Sequence, residues 1–148
     1  MKANRLNRSR TFLLAAGAAS LLMTTAALAV ANPARDAVLT ALAAQAKAAD
    51  PAFAGFSADR GQAFWSADHT GGNPDLPSCT SCHTKDPTAE GKTRAGKSIA
   101  PMAVSKTPER FTDEAKLTKW FDRSCKNVLG RVCTPTEEGD IITYLSGK

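Results

Sequence analysis

Only 6% of the 148 residues are aromatic, with a single tyrosine among them, and only two histidines are present. So few imidazoles leave no clear proton-delivery system, which argues against an elaborate acid–base enzyme. Alternating polar and apolar runs are missing, so the chain has little material for a β-sheet. Beyond residue 30 no apolar stretch is long enough to span a bilayer. At this length there is room for one domain, and a large multi-domain enzyme is excluded.

What is abundant is positive charge, a formal +5, but it is unevenly placed. Residues 1–29 hold Lys2, Arg5, Arg8 and Arg10 and no acid, followed by an apolar run from Phe12 to Val30. That order, ending in Ala27-Leu28-Ala29, is the pattern of a secretory signal peptide, with cleavage after Ala29 or, as a near alternative, after Ala31. Removal of this segment leaves fifteen basic against fourteen acidic side chains, a net +1. A nucleic-acid-binding role is thereby set aside, and the mature chain is expected in the periplasm with no membrane span. The remaining basic groups cluster: residues 92–131 carry ten basic and four acidic side chains. Such a stretch is either a solvated face or a positive surface that steers an acidic partner.

The mature chain reads as helices joined by long loops. Asn32 caps and Pro33 opens a helix that Asp50-Pro51 ends, with Val38, Leu39, Leu42 and Ala46 on one face. Ser57 caps a second helix carrying Gly61, Phe64 and Trp65. Thr112 is placed as the cap of a third, running to about Cys125, in which Leu117, Trp120, Phe121 and Ser124 form a stripe that points Ser124 inward. Thr134-Pro135-Thr136-Glu137 combines a capping box with a proline at the first helical position, and opens a last helix with Ile141, Ile142 and Leu145. The stretches 68–77 and 99–108, rich in glycine and proline, are loops.

Chemistry enters with Cys79-Thr80-Ser81-Cys82-His83. Two thiols at this spacing can add to the two vinyl groups of a haem, while the adjacent imidazole reaches the iron from one face. A zinc site would need to gather the other cysteines, whose spacing is unlike a closed knuckle. A thioredoxin-like dithiol would need strands between the helices. Cys125 and Cys133 are then left over in an oxidising compartment, where a disulfide is expected. One covalent haem c also gives a chain with a modest apolar supply a large flat surface to pack around.

The segment from Ser57 to Lys148 resembles the sphaeroides haem protein (SHP) family of small c-type cytochromes, relatives of the class I cytochrome c fold. The matching residues are Asp59-Arg60-Gly61-Gln62-Ala63-Phe64, Thr70-Gly71-Gly72, the Cys79–His83 motif, Ile99-Ala100-Pro101, Arg110-Phe111-Thr112-Asp113 and Cys125-Lys126-Asn127-Val128-Leu129-Gly130-Arg131. The resemblance implies an all-α fold wrapped around one haem, with the helix of Gly61 and Trp65 packed near Tyr144, a Cys125–Cys133 disulfide and a periplasmic role. It divides the chain into a signal peptide (1–29), an N-terminal helical extension (30–56) and a monohaem cytochrome domain (57–148).

In that family the residue before the first disulfide cysteine supplies a displaceable sixth iron ligand, an asparagine or, in a related cytochrome, a histidine. Here the position is Ser124, a weak donor to iron. Ser124 and Asn127 are the distal-pocket candidates, and Met102 and His69 are alternative sixth ligands beside the proximal His83. The expected function is electron transfer by a haem whose sixth ligand is weakly held or absent, open to oxygen or nitric oxide, with a redox-partner cytochrome that by resemblance is multihaem. A simple six-coordinate electron carrier and a small reductase of oxygen or nitrogen oxides are the alternatives.

Overall fold

The computed structural model describes residues 31–148; the signal peptide expected over residues 1–29 lies outside the described residues. The elements are α1 (Pro33–Ala49), α2 (Ala58–Ser66), the short α3 (Thr80–His83), β1 (Gly91–Lys92), β2 (Ser98–Ile99), α4 (Glu114–Leu129) and α5 (Pro135–Ser146). The fold is helical, as the SHP-like pattern requires, with one small antiparallel ladder pairing Gly91 with Ile99 and Lys92 with Ser98. That ladder is too short to leave an alternating signature in the sequence.

Local chemistry sets the helix starts. The Asn32 side chain accepts from the Ala34 and Arg35 amides, Ser57 from Arg60, and Thr134 from Glu137, whose carboxylate returns a bond to the Thr134 amide. At α4 the cap is Asp113 rather than Thr112: its carboxylate takes the Lys116 amide, while the Thr112 hydroxyl donates back to the Glu109 carbonyl. The helix also runs one turn past Cys125, to Leu129, where Gly130 ends it in the left-handed conformation with φ +71°.

Three apolar clusters share the interior. Val38, Leu42, Leu117 and Ile142 form one, so α1 belongs to the domain core. Trp65, Ile141, Tyr144 and Leu145 form the second, and Cys125, Val128, Leu129 and Cys133 the third. The crossing of α2 on α5 depends on Gly61, where a Cβ would run into the Asp140 backbone carbonyl. Beside that crossing, the buried Asp140 carboxylate receives the Ser57 amide at 2.7 Å and the Arg60 guanidinium at 2.7 and 2.8 Å, satisfying a charge that burial would otherwise penalise.

The long 84–113 connection is pinned by its backbone. Met102 and Ala103 both donate to the Pro87 carbonyl, at 2.9 and 2.8 Å, and Val104 donates to Leu145 at 3.1 Å. Further along, buried Arg35 of α1 donates from Nε to the Arg110 carbonyl at 3.1 Å and from a terminal nitrogen to Pro108 at 2.5 Å. A single side chain thus ties α1 to the loop that carries Arg110.

Candidate haem-binding site

The five-residue motif folds as a turn of helix. Cys79 caps α3, and the Cys82 and His83 amides both reach the Cys79 carbonyl, at 3.4 and 3.1 Å. This arrangement keeps both thiols and the imidazole on one short, stiff piece of chain. Gly91 lets β1 lie flat against it, because a Cβ there would strike the Cys82 carbonyl and crowd His83 Cα. Cys79 and Cys82 are free and half-buried. Burial pushes the Cys79 thiol up to about 11, so near neutral pH it is protonated.

His83 packs against Trp65 and feels the charge of Arg110. Its ring lies 5.4 Å from the Trp65 ring, centroid to centroid, with 35° between the planes. Burial, and then the positive charge of Arg110, push its pKa down to about 4, so the ring is neutral and able to act as a ligand. The Arg110 guanidinium is itself fixed, donating from Nε to the Pro101 carbonyl at 3.1 Å and from a terminal nitrogen to Ala100 at 2.6 Å. The His83 Nδ1 is buried without a hydrogen-bond partner.

Two free thiols at a three-residue separation, a neutral imidazole on the next residue and a glycine-cleared backbone behind them fit a covalently held haem. Among the described residues no group of three or more His, Cys, Asp or Glu side chains converges as a metal site, so the motif does not extend into a zinc centre. Cys125 and Cys133 are joined to each other, with Cα atoms 5.5 Å apart.

The sixth-ligand candidates fall in different places. Met102 is half-buried and packs, with Cys79 and Phe64, against the Trp65 cluster. His69 is also half-buried; its Nε2 donates to the Phe64 carbonyl at 2.9 Å and its ring lies 4.6 Å from the Phe64 ring. Asn127 is exposed within α4 rather than at its end, and its backbone carbonyl receives the Asn73 amide at 2.7 Å. Ser124 is exposed and is not packed into the helical core. The side of α4 packed on the core is set by Leu117, Phe121, Cys125 and Val128, which leaves Trp120 and Ser124 exposed together on another side.

Sequence reading passed over Arg110 and Arg35 as site residues. Arg110 lies in a matched motif, but its action on His83 depends on the loop being folded back by Arg35, a contact 75 residues away in sequence.

Comparison with known proteins bears on the family of the chain. The family described as a domain of unknown function, DUF1924, matches residues 51–145. The cytochrome c-type protein SHP of Cereibacter sphaeroides is 52% identical over 91 residues, which cover 62% of this chain and 70% of that protein. Cytochrome c'' of Methylophilus methylotrophus is 34% identical over 101 residues, 68% of this chain and 70% of that protein. The structure of oxidized SHP, described as an oxygen binding cytochrome c, aligns with a TM-score of 0.67 at 47% identity, covering 74% of this chain and 96% of SHP. The chain therefore belongs to the DUF1924 family and is an SHP-like c-type cytochrome.

Proposed function

We propose that this chain is an exported, periplasmic electron-transfer cytochrome carrying one covalent haem c, with a weakly held or absent sixth iron ligand that leaves room for a small gas. Cys79 and Cys82 form the two thioethers, and His83 is the proximal ligand through Nε2. The contact with Trp65 orients the ring, whose Nδ1 is buried without a hydrogen-bond partner. When bound, haem c supplies a one-electron couple and, where its sixth position is open, a place for a diatomic gas.

The observation that carries the open-site reading is Ser124. It stands directly before the disulfide cysteine, where the resemblance puts a displaceable amide or imidazole, and it is exposed on α4. A neutral hydroxyl binds iron weakly, and it can donate a hydrogen bond to a ligand. The oxygen binding described for SHP supports carrying this reading over. The concentration of basic side chains in residues 92–131, including the exposed Lys116, Lys119 and Arg123, suits docking to an acidic redox partner such as a multihaem cytochrome.

The test is an optical spectrum of the reduced protein before and after carbon monoxide, on the wild type and on Ser124→Asn. The reading predicts a high-spin reduced form that shifts promptly with the gas, and a slower, weaker response in Ser124→Asn. A low-spin spectrum that ignores the gas would make the protein a six-coordinate carrier. Unchanged spin state and affinity in the variant would remove Ser124 from the iron.

A further inference from the structure

Arg110 lies 27 residues beyond His83 in sequence, yet the fold brings it to the His83 side of the motif by two routes. The first is the small ladder. Gly91 pairs with Ile99, and a Cβ on Gly91 would stand 3.0 Å from His83 Cα, so the chain leaving β2 starts beside the imidazole-bearing turn. The next two residues, Ala100 and Pro101, present the carbonyls that fix the Arg110 guanidinium, at 2.6 and 3.1 Å. The second route is the core. Phe111, which follows Arg110, packs like Met102 and Cys79 against the cluster of Trp65, whose ring stands 5.4 Å from that of His83. Both anchoring carbonyls are neutral, so they position the guanidinium without cancelling its charge, and that charge acts on the His83 ring.

What keeps Arg110 in place comes from α1. Arg35, only 3% exposed, donates to the Pro108 and Arg110 carbonyls and so grips the chain just ahead of Phe111. Phe111 has a φ of +65°, a left-handed conformation that a bulky residue holds only where its surroundings impose it. Loss of the grip frees this segment to relax and carries the Arg110 charge away from His83.

We propose that Arg110 sets the reduction potential of an iron bound by His83, and that Arg35 is the positioning residue that holds the Arg110 charge in range from α1. Reduction moves one electron from an outside donor to the ferric centre, with no bond made or broken. A fixed cation beside the ligand favours the ferrous state, which carries one positive charge fewer. The inference rests on the haem c proposed above, with His83 as its proximal ligand.

Spectroelectrochemical titration of the haem-loaded full chain tests it, on wild type, Arg110→Gln, Arg110→Lys, Arg35→Gln and the double variant Arg35→Gln, Arg110→Gln. Arg110→Gln is expected to shift the one-electron equilibrium toward the ferric form about tenfold, a fall of about 59 mV. Arg110→Lys keeps a charge and recovers about half of that shift or more, although it loses the forked hold on two carbonyls. Arg35→Gln displaces the charge rather than removing it, and shifts the equilibrium about threefold in the same direction. In the Arg110→Gln background it adds nothing, because Arg35 acts through Arg110.

Urea unfolding of the same proteins separates charge from packing. Potentials of Arg110→Lys and Arg110→Gln that fall equally, alongside equal losses of midpoint, overturn the proposal and assign both effects to loosened packing. An Arg35→Gln shift that persists in full in the double variant overturns the positioning role of Arg35. Should Arg110→Gln fail to take up haem, Arg35→Gln carries the test, and an unchanged potential there overturns the proposal. A normal haem couple that ignores Arg110→Gln overturns this inference alone. A wild type with no reversible one-electron haem couple overturns the proposed function, and this inference with it.

Discussion

The Trp65 indole lies against the His83 imidazole at 5.4 Å, and it is this contact that joins the motif-bearing turn to the α2–α5 core. Trp65 is 3% exposed and packs with Ile141, Tyr144 and Leu145, so its ring serves the core and the ligand together. Trp65→Ala is expected to cost about 3–5 kcal/mol in urea unfolding, as for other large-to-small changes of a buried aromatic. Trp65→Phe, which also deletes an indole N–H that lacks a partner, should cost less. Equal stability of wild type and the alanine variant would mean that the ring is not a core residue.

The disulfide links the last turns of α4 to the chain entering α5 across a separation of eight residues. Loop closure of that size is worth about 2–3 kcal/mol on the chain-entropy estimate. Chemical unfolding of a Cys125→Ala, Cys133→Ala double variant, compared with the oxidised wild type, should show a loss of that order. No loss would place the bridge outside the cooperative core, against its burial with Val128 and Leu129.

Glu138 gives the protein a pH dependence of definite sign. It lines a cleft of about 120 Å³ with Val38, Gln45, Glu114 and Thr118. Burial, and then the negative charges of Glu137 and Asp122, push its carboxyl up to about 7. In the unfolded chain the same group titrates near its ordinary 4.5. Between those values the folded state holds more protons than the unfolded one, so stability falls as pH rises through the window and is level above it. Glu138→Gln should therefore flatten the decline in urea midpoint between about pH 5 and pH 8, and be the more stable protein at the upper end. A midpoint in wild type that rises across this window would contradict the assignment.

Much of this was legible in the sequence because the signals are local. Asn32, Ser57 and the Thr134–Glu137 pair cap their helices through contacts two or three residues long, and the haem motif is contained in five residues. The α4 boundaries shifted for reasons of the same short range: Asp113 offers a better acceptor than Thr112, whose hydroxyl is taken by Glu109, and Gly130 supplies the left-handed stop. The face of α4 was misread. A stripe of Leu117, Trp120, Phe121 and Ser124 is a sound helical pattern, but the disulfide draws Cys125 inward and fixes the rotation of the helix about its axis. Nothing local carries that information. Nor does it carry the hold of Arg35 on the Arg110 loop, or the reach of Arg110 to His83, since both depend on chain segments meeting only once the core has formed.

The central claim is that Cys79 and Cys82 carry the haem through carbon–sulfur bonds. Intact mass spectrometry of the purified protein after extraction with acidified organic solvent tests it directly. The account predicts a coloured polypeptide heavier than the mature chain by one haem, with the mass added between residues 79 and 82. A colourless polypeptide of bare-chain mass, with the pigment in the solvent, would contradict it.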